Sequence, residues 1–215
     1  MTTATLHPSL LERLQNLSRG ERRLLGIAGP PGAGKSTLTA LMLSALGGRA
    51  QVVPMDGFHL AQSELIRLGR AERKGAPDTF DVGGYAALLH RLRHQAEDEL
   101  VYAPDFRRDL EEAVAGAIPV SADTPLVITE GNYLLLQEGG WPRVTALLDE
   151  VWSLQIDDAL RVDRLNARHQ RYGRSEANAK AWIAQTDEPN ARLILAQAHR
   201  ANRQVRWSAA SNQFI

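Results

Sequence analysis

The chain contains no cysteine, which excludes disulfides, thiolate zinc sites and cysteine nucleophiles and leaves packing alone to hold the fold. It also has no net charge, because 25 basic and 25 acidic residues cancel over 215 positions. The whole-molecule attraction of a duplex-DNA or anionic-membrane binder is therefore missing, and any anion must be bound by a local cluster. Long apolar runs are absent as well. Stretches such as Leu134 to Leu136 fall far short of the roughly 18 residues of a membrane span, and no basic segment followed by an apolar one opens the chain. The expectation is a cytoplasmic protein with neither nucleic acid nor membrane among its partners. Lysine is scarce: only Lys35, Lys74 and Lys180 occur, and the other 22 basic residues are arginine.

What is present is ordinary for a folded protein. Hydrophobic residues make up 44% and charged residues 23%, and the length suits one domain, residues 1–215, with a sizeable insertion. Pro8 opens an amphipathic helix with Leu10, Leu11, Leu14 and Leu17 on one face. Strand, glycine-rich turn and helix follow over Arg23 to Leu46, and a second strand at Gln51 to Pro54 leads into Met55-Asp56-Gly57-Phe58-His59. Asp81 is placed to cap a helix near Tyr85 to His94. The stretch from Val101 to Pro119 is irregular and reads as an excursion from the main sheet. Buried-type strands at Leu126 to Glu130 and Val151 to Ile156 precede an arginine-rich helix capped by Asp157 or Asp158, a short helix capped by Ser175, a helix opened by Pro189 and a last strand at Gln204 to Trp207. Alternating strands and helices of this kind predict an α/β fold with a doubly wound parallel sheet.

The strongest chemical signal is Gly29-Pro30-Pro31-Gly32-Ala33-Gly34-Lys35-Ser36, which fits G-x-x-x-x-G-K-[ST] between a predicted strand and a predicted helix. The glycines let backbone N–H groups wrap a phosphate, the helix start adds positive dipole, Lys35 reaches the β- and γ-phosphates, and Ser36 can hold Mg²⁺. Thr37 follows in the same turn. Ligands of such sheets bind beyond the carboxyl ends of the strands, and two carboxylates stand there, Asp56 and Glu130. A kinase needs one to accept the proton of the acceptor hydroxyl and another to orient Mg²⁺. The turn suits Asp56 for the first role, against the plainer reading that it caps the next helix, and leaves Glu130 with Ser36 for the metal. Arg161, Arg164, Arg168, Arg171 and Arg174 form the third cluster, in which 164, 168 and 171 share a helix face. Few acids lie nearby in sequence, so the helix reads as a lid that sets guanidinium groups on a transferring phosphoryl group. His59 and His169 lack further ligands at metal spacing, and the four tryptophans read as core or interface anchors.

These motifs resemble the small-molecule kinases that include uridine kinase, phosphoribulokinase and bacterial pantothenate kinase, in order along nearly the whole chain. Asp56-Gly57-Phe58-His59 is similar to that family's base-bearing turn, Lys74-Gly75-Ala76-Pro77-Asp78-Thr79-Phe80-Asp81 to its substrate-side loop, and Glu130-Gly131-Asn132-Tyr133 to its E-G strand end. Arg164 to Arg171, with Gly173 and Asp187-Glu188-Pro189-Asn190, resembles the lid of the short nucleoside/nucleotide kinase or fructose kinase branch. The resemblance implies a five-stranded parallel sheet, an arginine-rich lid within 158–188, ATP and Mg²⁺ as cofactors, and Asp56 as base. It further implies nucleotide contacts from residues 29–37, Arg164 and Arg168, lid contacts from Arg168 and Arg171, and acceptor contacts from Asp56, Phe58, His59, Phe80, Tyr102, Arg107 and Asn132. The expected partner is a small-molecule substrate, and a homodimer is compatible with the sequence.

A guanine-nucleotide switch fits less well, since none of the three lysines is followed by x-Asp. A nucleotide-dependent binding module would not need Asp56. A nucleoside-monophosphate kinase is the nearest enzymatic rival, because Arg107 and Arg108 could serve an acceptor phosphate.

Overall fold

A computed structural model describes residues 4–215. Its axis is strand β2 (Arg23–Ala28), in which every residue from Leu24 onward is buried. A strand apolar on both faces needs a layer on each side and a neighbour along each edge. The neighbours are β6 (Leu126–Gly131) and β7 (Glu150–Gln155), both parallel to it, with Arg23 opposite Leu126 and Leu25 opposite Glu150. Strand β3 (Ala50–Val52) extends the sheet beyond β6, and β8 (Arg203–Ser208) extends it beyond β7, again in parallel.

These five strands are the sheet expected from the sequence, but the full count is seven. Two-residue strands β1 (Thr5–Leu6) and β9 (Gln213–Phe214) add to the β8 edge, with β9 turning back antiparallel to β8. Elements this short carry no periodicity that a sequence reading can use.

One face of the sheet is covered by α1 (Pro8–Leu17) and α2 (Lys35–Leu46), through Leu10, Leu14, Leu38 and Met42. The other face is covered by α4 (Val82–Arg93), α5 (Trp141–Thr145) and α8 (Glu188–Ala196), through Tyr85, Leu89, Trp141, Val144 and Ile194. Asp81 caps α4 as expected, accepting from the Gly84 N–H. Between β3 and α4 lie a tight turn over Met55–Phe58 and the short helix α3 (Gln62–Arg67).

The stretch read as irregular is an ordered hairpin apart from the main sheet, β4 (Leu100–Arg107) with β5 (Glu112–Ser121). Its register shifts between Ala103 and Asp105, at Pro104. Proline cannot donate to a ladder, so the alternation that marks a strand is broken there. A helical arm, α6 (Asp158–Arg171) and α7 (Glu176–Trp182), leaves the end of β7 and returns through a π-helical turn over Ile183–Asp187. Among the described residues no helix is long and apolar enough to cross a membrane.

The start of β7 carries a charged junction. Asp149 accepts from the Leu24 N–H at 2.8 Å and from Arg93 at 2.7 Å, and pairs with Arg23 at 3.0 Å. Burial pushes this carboxyl up, yet these donors outweigh it and hold it below the usual carboxylate range. A depressed carboxyl stabilises the fold above its unfolded pKa and loses that contribution as pH falls through the folded value. Asp149→Asn is expected to destabilise the protein by about 1.5–3 kcal/mol at neutral pH. The gap should narrow in acid, and thermal melts from pH 7 to pH 3 test both statements.

Candidate active site

The carboxyl ends of β2, β3 and β6 open onto a cleft of about 1100 Å³, closed on one side by the tip of the β4–β5 hairpin and on the other by the α6–α7 arm. The phosphate loop, residues 29–34, turns from β2 into α2. Its Gly32 has φ +81°, and an added Cβ would lie 2.7 Å from Leu165 Cγ and 2.8 Å from the Arg161 carbonyl oxygen. Glycine is required there twice over, by the left-handed backbone and by α6 seated on the loop.

Lys35 folds over this loop, donating to the Gly29 carbonyl at 2.9 Å and to Asn132 Oδ1 at 2.8 Å. Burial pushes its ammonium down to about 8, against the raising influence of Glu130 and Asp56. Glu130 moves the other way: burial raises it, and Lys35 and a hydrogen bond from Ser36 oppose the shift. The Ser36 hydroxyl and the Glu130 carboxylate are thus neighbours at the mouth of the loop.

Asp56 sits in the Met55–Phe58 turn, across the cleft from the arm. A Cβ on Gly57 would lie 2.4 Å from the Pro104 carbonyl oxygen, so the hairpin rests directly on this turn and fixes its direction. His59 Nδ1–H donates to the Asp56 carbonyl at 2.8 Å, and the ring packs between Phe80 (4.1 Å) and Phe106 (4.7 Å). Burial lowers its pKa, which favours the neutral ring. Arg108 at the hairpin tip donates to Asp56 Oδ2 at 3.4 Å. Lys74 lies over the Phe106 ring at 5.5 Å.

From the arm, Arg164 reaches toward Gly34 and covers the Trp207 ring at 5.6 Å. Arg168 also lines the cleft, where burial, and next the like charge of Arg108, lowers its pKa. His169 Nε2 pairs with Asp187 at 2.8 Å, and Arg174 stacks on Trp182 at 4.1 Å.

Most residues singled out in the sequence meet here: Pro31, Gly32, Gly34 to Thr37, Asp56, His59, Phe80, Glu130, Asn132, Arg164 and Arg168 all line the cleft. Gly29, Pro30 and Ala33 lie in the loop without lining it. Four others are placed elsewhere. Phe58 packs against Tyr85 in the core at 4.9 Å, Tyr102 is exposed on the hairpin, and Arg107 points outward to Asp109 at 2.9 Å. Arg171 is exposed and outside the cleft. The inward stripe of α6 runs Arg161, Leu165, Arg168, rotated from the 164, 168, 171 face read off the charges. Leu165, a leucine between Arg164 and Arg168 that the structure buries, is the signal that fixes this rotation. Arg161, which does not share the 164, 168, 171 face, is the most buried arginine of the helix, 2% exposed. Phe106 lines the cleft without having been expected there, and Asp187, expected only as part of the lid, lines it as the partner of His169. Trp182 and Trp207, read as anchors, border the cleft, each with a guanidinium on its ring.

No family model matches the chain. It is 34% identical over 202 residues to the uncharacterized protein YggC of Escherichia coli K12, covering 90% of this chain and 81% of that one. A "Putative uridine kinase C227.14" of Schizosaccharomyces pombe is 35% identical over 162 residues, covering 71% of this chain and 68% of that one. Among solved structures, a "putative fructose transport system kinase" from Silicibacter sp. TM1040 superposes with a TM-score of 0.83 at 38% identity, covering 91% of this chain and 97% of that one. The chain belongs to the P-loop kinase family, as a small-molecule kinase with a hydroxyl acceptor.

Proposed function

We propose that the protein transfers the γ-phosphoryl group of ATP to a hydroxyl of a small metabolite of the sugar, nucleoside or pantothenate type. The observation that carries this reading is the cleft itself, in which Lys35 with its loop, the Asp56 carboxylate and the Arg168 guanidinium converge from three separate elements. The three matched proteins support the class, two of them being described as kinases. In this reading residues 1–215 form one kinase domain and the α6–α7 arm is its lid.

Each residue then has a physical task. The loop N–H groups and Lys35 neutralise the phosphates. Asp56 takes the proton of the acceptor hydroxyl as its oxygen attacks. Arg168, with Arg164 beside it, meets charge growing on the transferred group. His59, Phe80, Phe106, Arg108 and Asn132 border the space left for the acceptor. Mg²⁺ suits the hard oxygen donors at the mouth of the loop, since it keeps several waters and takes few protein ligands beside phosphate. Ser36 and Glu130 would hold it, and it would neutralise charge between the phosphates.

The test is ADP formation from MgATP against a panel of sugars, nucleosides and hydroxy acids. At least one hydroxyl compound should raise ATP consumption well above the rate with ATP alone. The same rate with and without every acceptor would leave only a nucleotide-binding module. Lys35→Arg keeps the charge but replaces a compact ammonium with a planar fork that the loop cannot seat. With charge-assisted contacts of about 1.5–3 kcal/mol at stake, ATP-analogue affinity should fall by roughly tenfold to a hundredfold in calorimetry.

A further inference from the structure

Arg161 stands in an uncommon setting. It is buried in the first turn of α6, donates through Nε to Asp158 Oδ1 at 2.8 Å, and pairs through Nη2 with Glu188. Asp158 is 70% exposed, so Glu188, less exposed in the first turn of α8, is the partner that matters. The remaining nitrogen, Nη1, is buried without a hydrogen-bond partner. A buried ion pair with an unsatisfied donor is a poor device for stability, since apolar residues of similar size commonly hold such a site as well or better.

Its location shows what the pair joins. Glu188 follows Asp187 at the point where the arm returns, so Arg161 ties the outgoing leg of the arm to the incoming one. The backbone and side chain of the same Arg161 lie against Gly32 of the phosphate loop. Along the inward stripe of α6, Arg168 follows two turns later.

We infer that Arg161 is a positioning residue: paired with Glu188, it fixes the base of the arm on the phosphate loop and so sets where Arg164 and Arg168 stand in the cleft. This inference rests on the kinase reading. It makes no contact between Arg161 and substrate, so its effect on turnover passes through the arm.

The deciding variant is the double substitution Arg161→Met/Glu188→Leu, which removes both charges and keeps the volume, so that folding survives. Its melting temperature should equal or exceed that of the unsubstituted protein, while kcat falls by about a hundredfold, the scale of a small misplacement of reacting groups. KM for ATP should move by only a few fold. A readout without catalysis accompanies this: trypsin should cut after Arg171 and Arg174 faster in the double variant, with no substrate present. Arg161→Lys, a one-pronged cation, should recover stability relative to Arg161→Met without recovering kcat. A folded double variant with unchanged kcat and unchanged cleavage rate overturns the inference, as does full recovery of kcat by lysine. If the unsubstituted protein phosphorylates no acceptor at all, the kinase reading fails, and the cleavage rates alone decide the clamp.

Discussion

Arg168→Ala should slow turnover far more than it weakens ATP binding, with the arginine-finger range of about 10³ to 10⁵ as the upper guide. Only interactions stronger in the transition state than in the ground state speed the chemical step, and a guanidinium aimed at a phosphoryl group in flight is of that kind. Two features set the scale. Burial and the neighbouring Arg108 disfavour the charge on Arg168, and negative charge developing beside it favours that charge. Arg164 and Arg108 also border the cleft and partly cover for the loss. The control is Arg171→Ala on the same helix, exposed and outside the cleft, which should stay within a few fold of the unsubstituted rate. If both variants are equally slow, the arginine face is structural and the lid assignment falls.

Asp56→Asn is expected to lower kcat by roughly 10² to 10⁴, the usual worth of a positioned base. The amide keeps the size of the carboxylate and can no longer accept the hydroxyl proton. Affinity for an ATP analogue should hardly change, because the phosphate loop, Lys35, Ser36 and Glu130 lie on other elements. The turn itself should hold: the Asp56 contact with the hairpin that depends on its side chain is the 3.4 Å approach of Arg108, and the Gly57–Pro104 packing is independent of it. Steady-state kinetics with calorimetric binding of the analogue separates the cases. Lost binding or a lowered melting temperature with kcat retained would make Asp56 a structural cap.

The parts of this site carried by contiguous residues were legible in the sequence. The phosphate loop is a single run, and Asp56 and Glu130 are found by reading to the ends of apolar strands. The parts built by distant residues were not. The register of the hairpin shifts by two residues around Pro104, and at its tip Arg108 reaches Asp56 while Arg107, expected among the acceptor contacts, turns to Asp109. Arg161 pairs with Asp158 three residues before it, but its less exposed acid, Glu188, lies 27 residues away. His169 looked solitary because Asp187 lies at a separation of 18. Counting charges near a helix in sequence misses partners that a returning arm delivers.

The placement of β2 bears on how the chain is made. Its edges are filled by β6 and β7, so Arg23 waits for Leu126 and Leu25 for Glu150. At roughly 5–20 residues per second of synthesis, the fold's first long strand stays without neighbours for something like five to twenty seconds. The hairpin, whose widest pair joins Leu100 to Ser121, closes from local contacts alone. The hairpin wall of the cleft can therefore form before the sheet that supports it, whereas α6, against which Gly32 of the phosphate loop packs, is made after β7. Substitutions that delay β6 or β7 would leave the apolar β2 open to pairing with other chains.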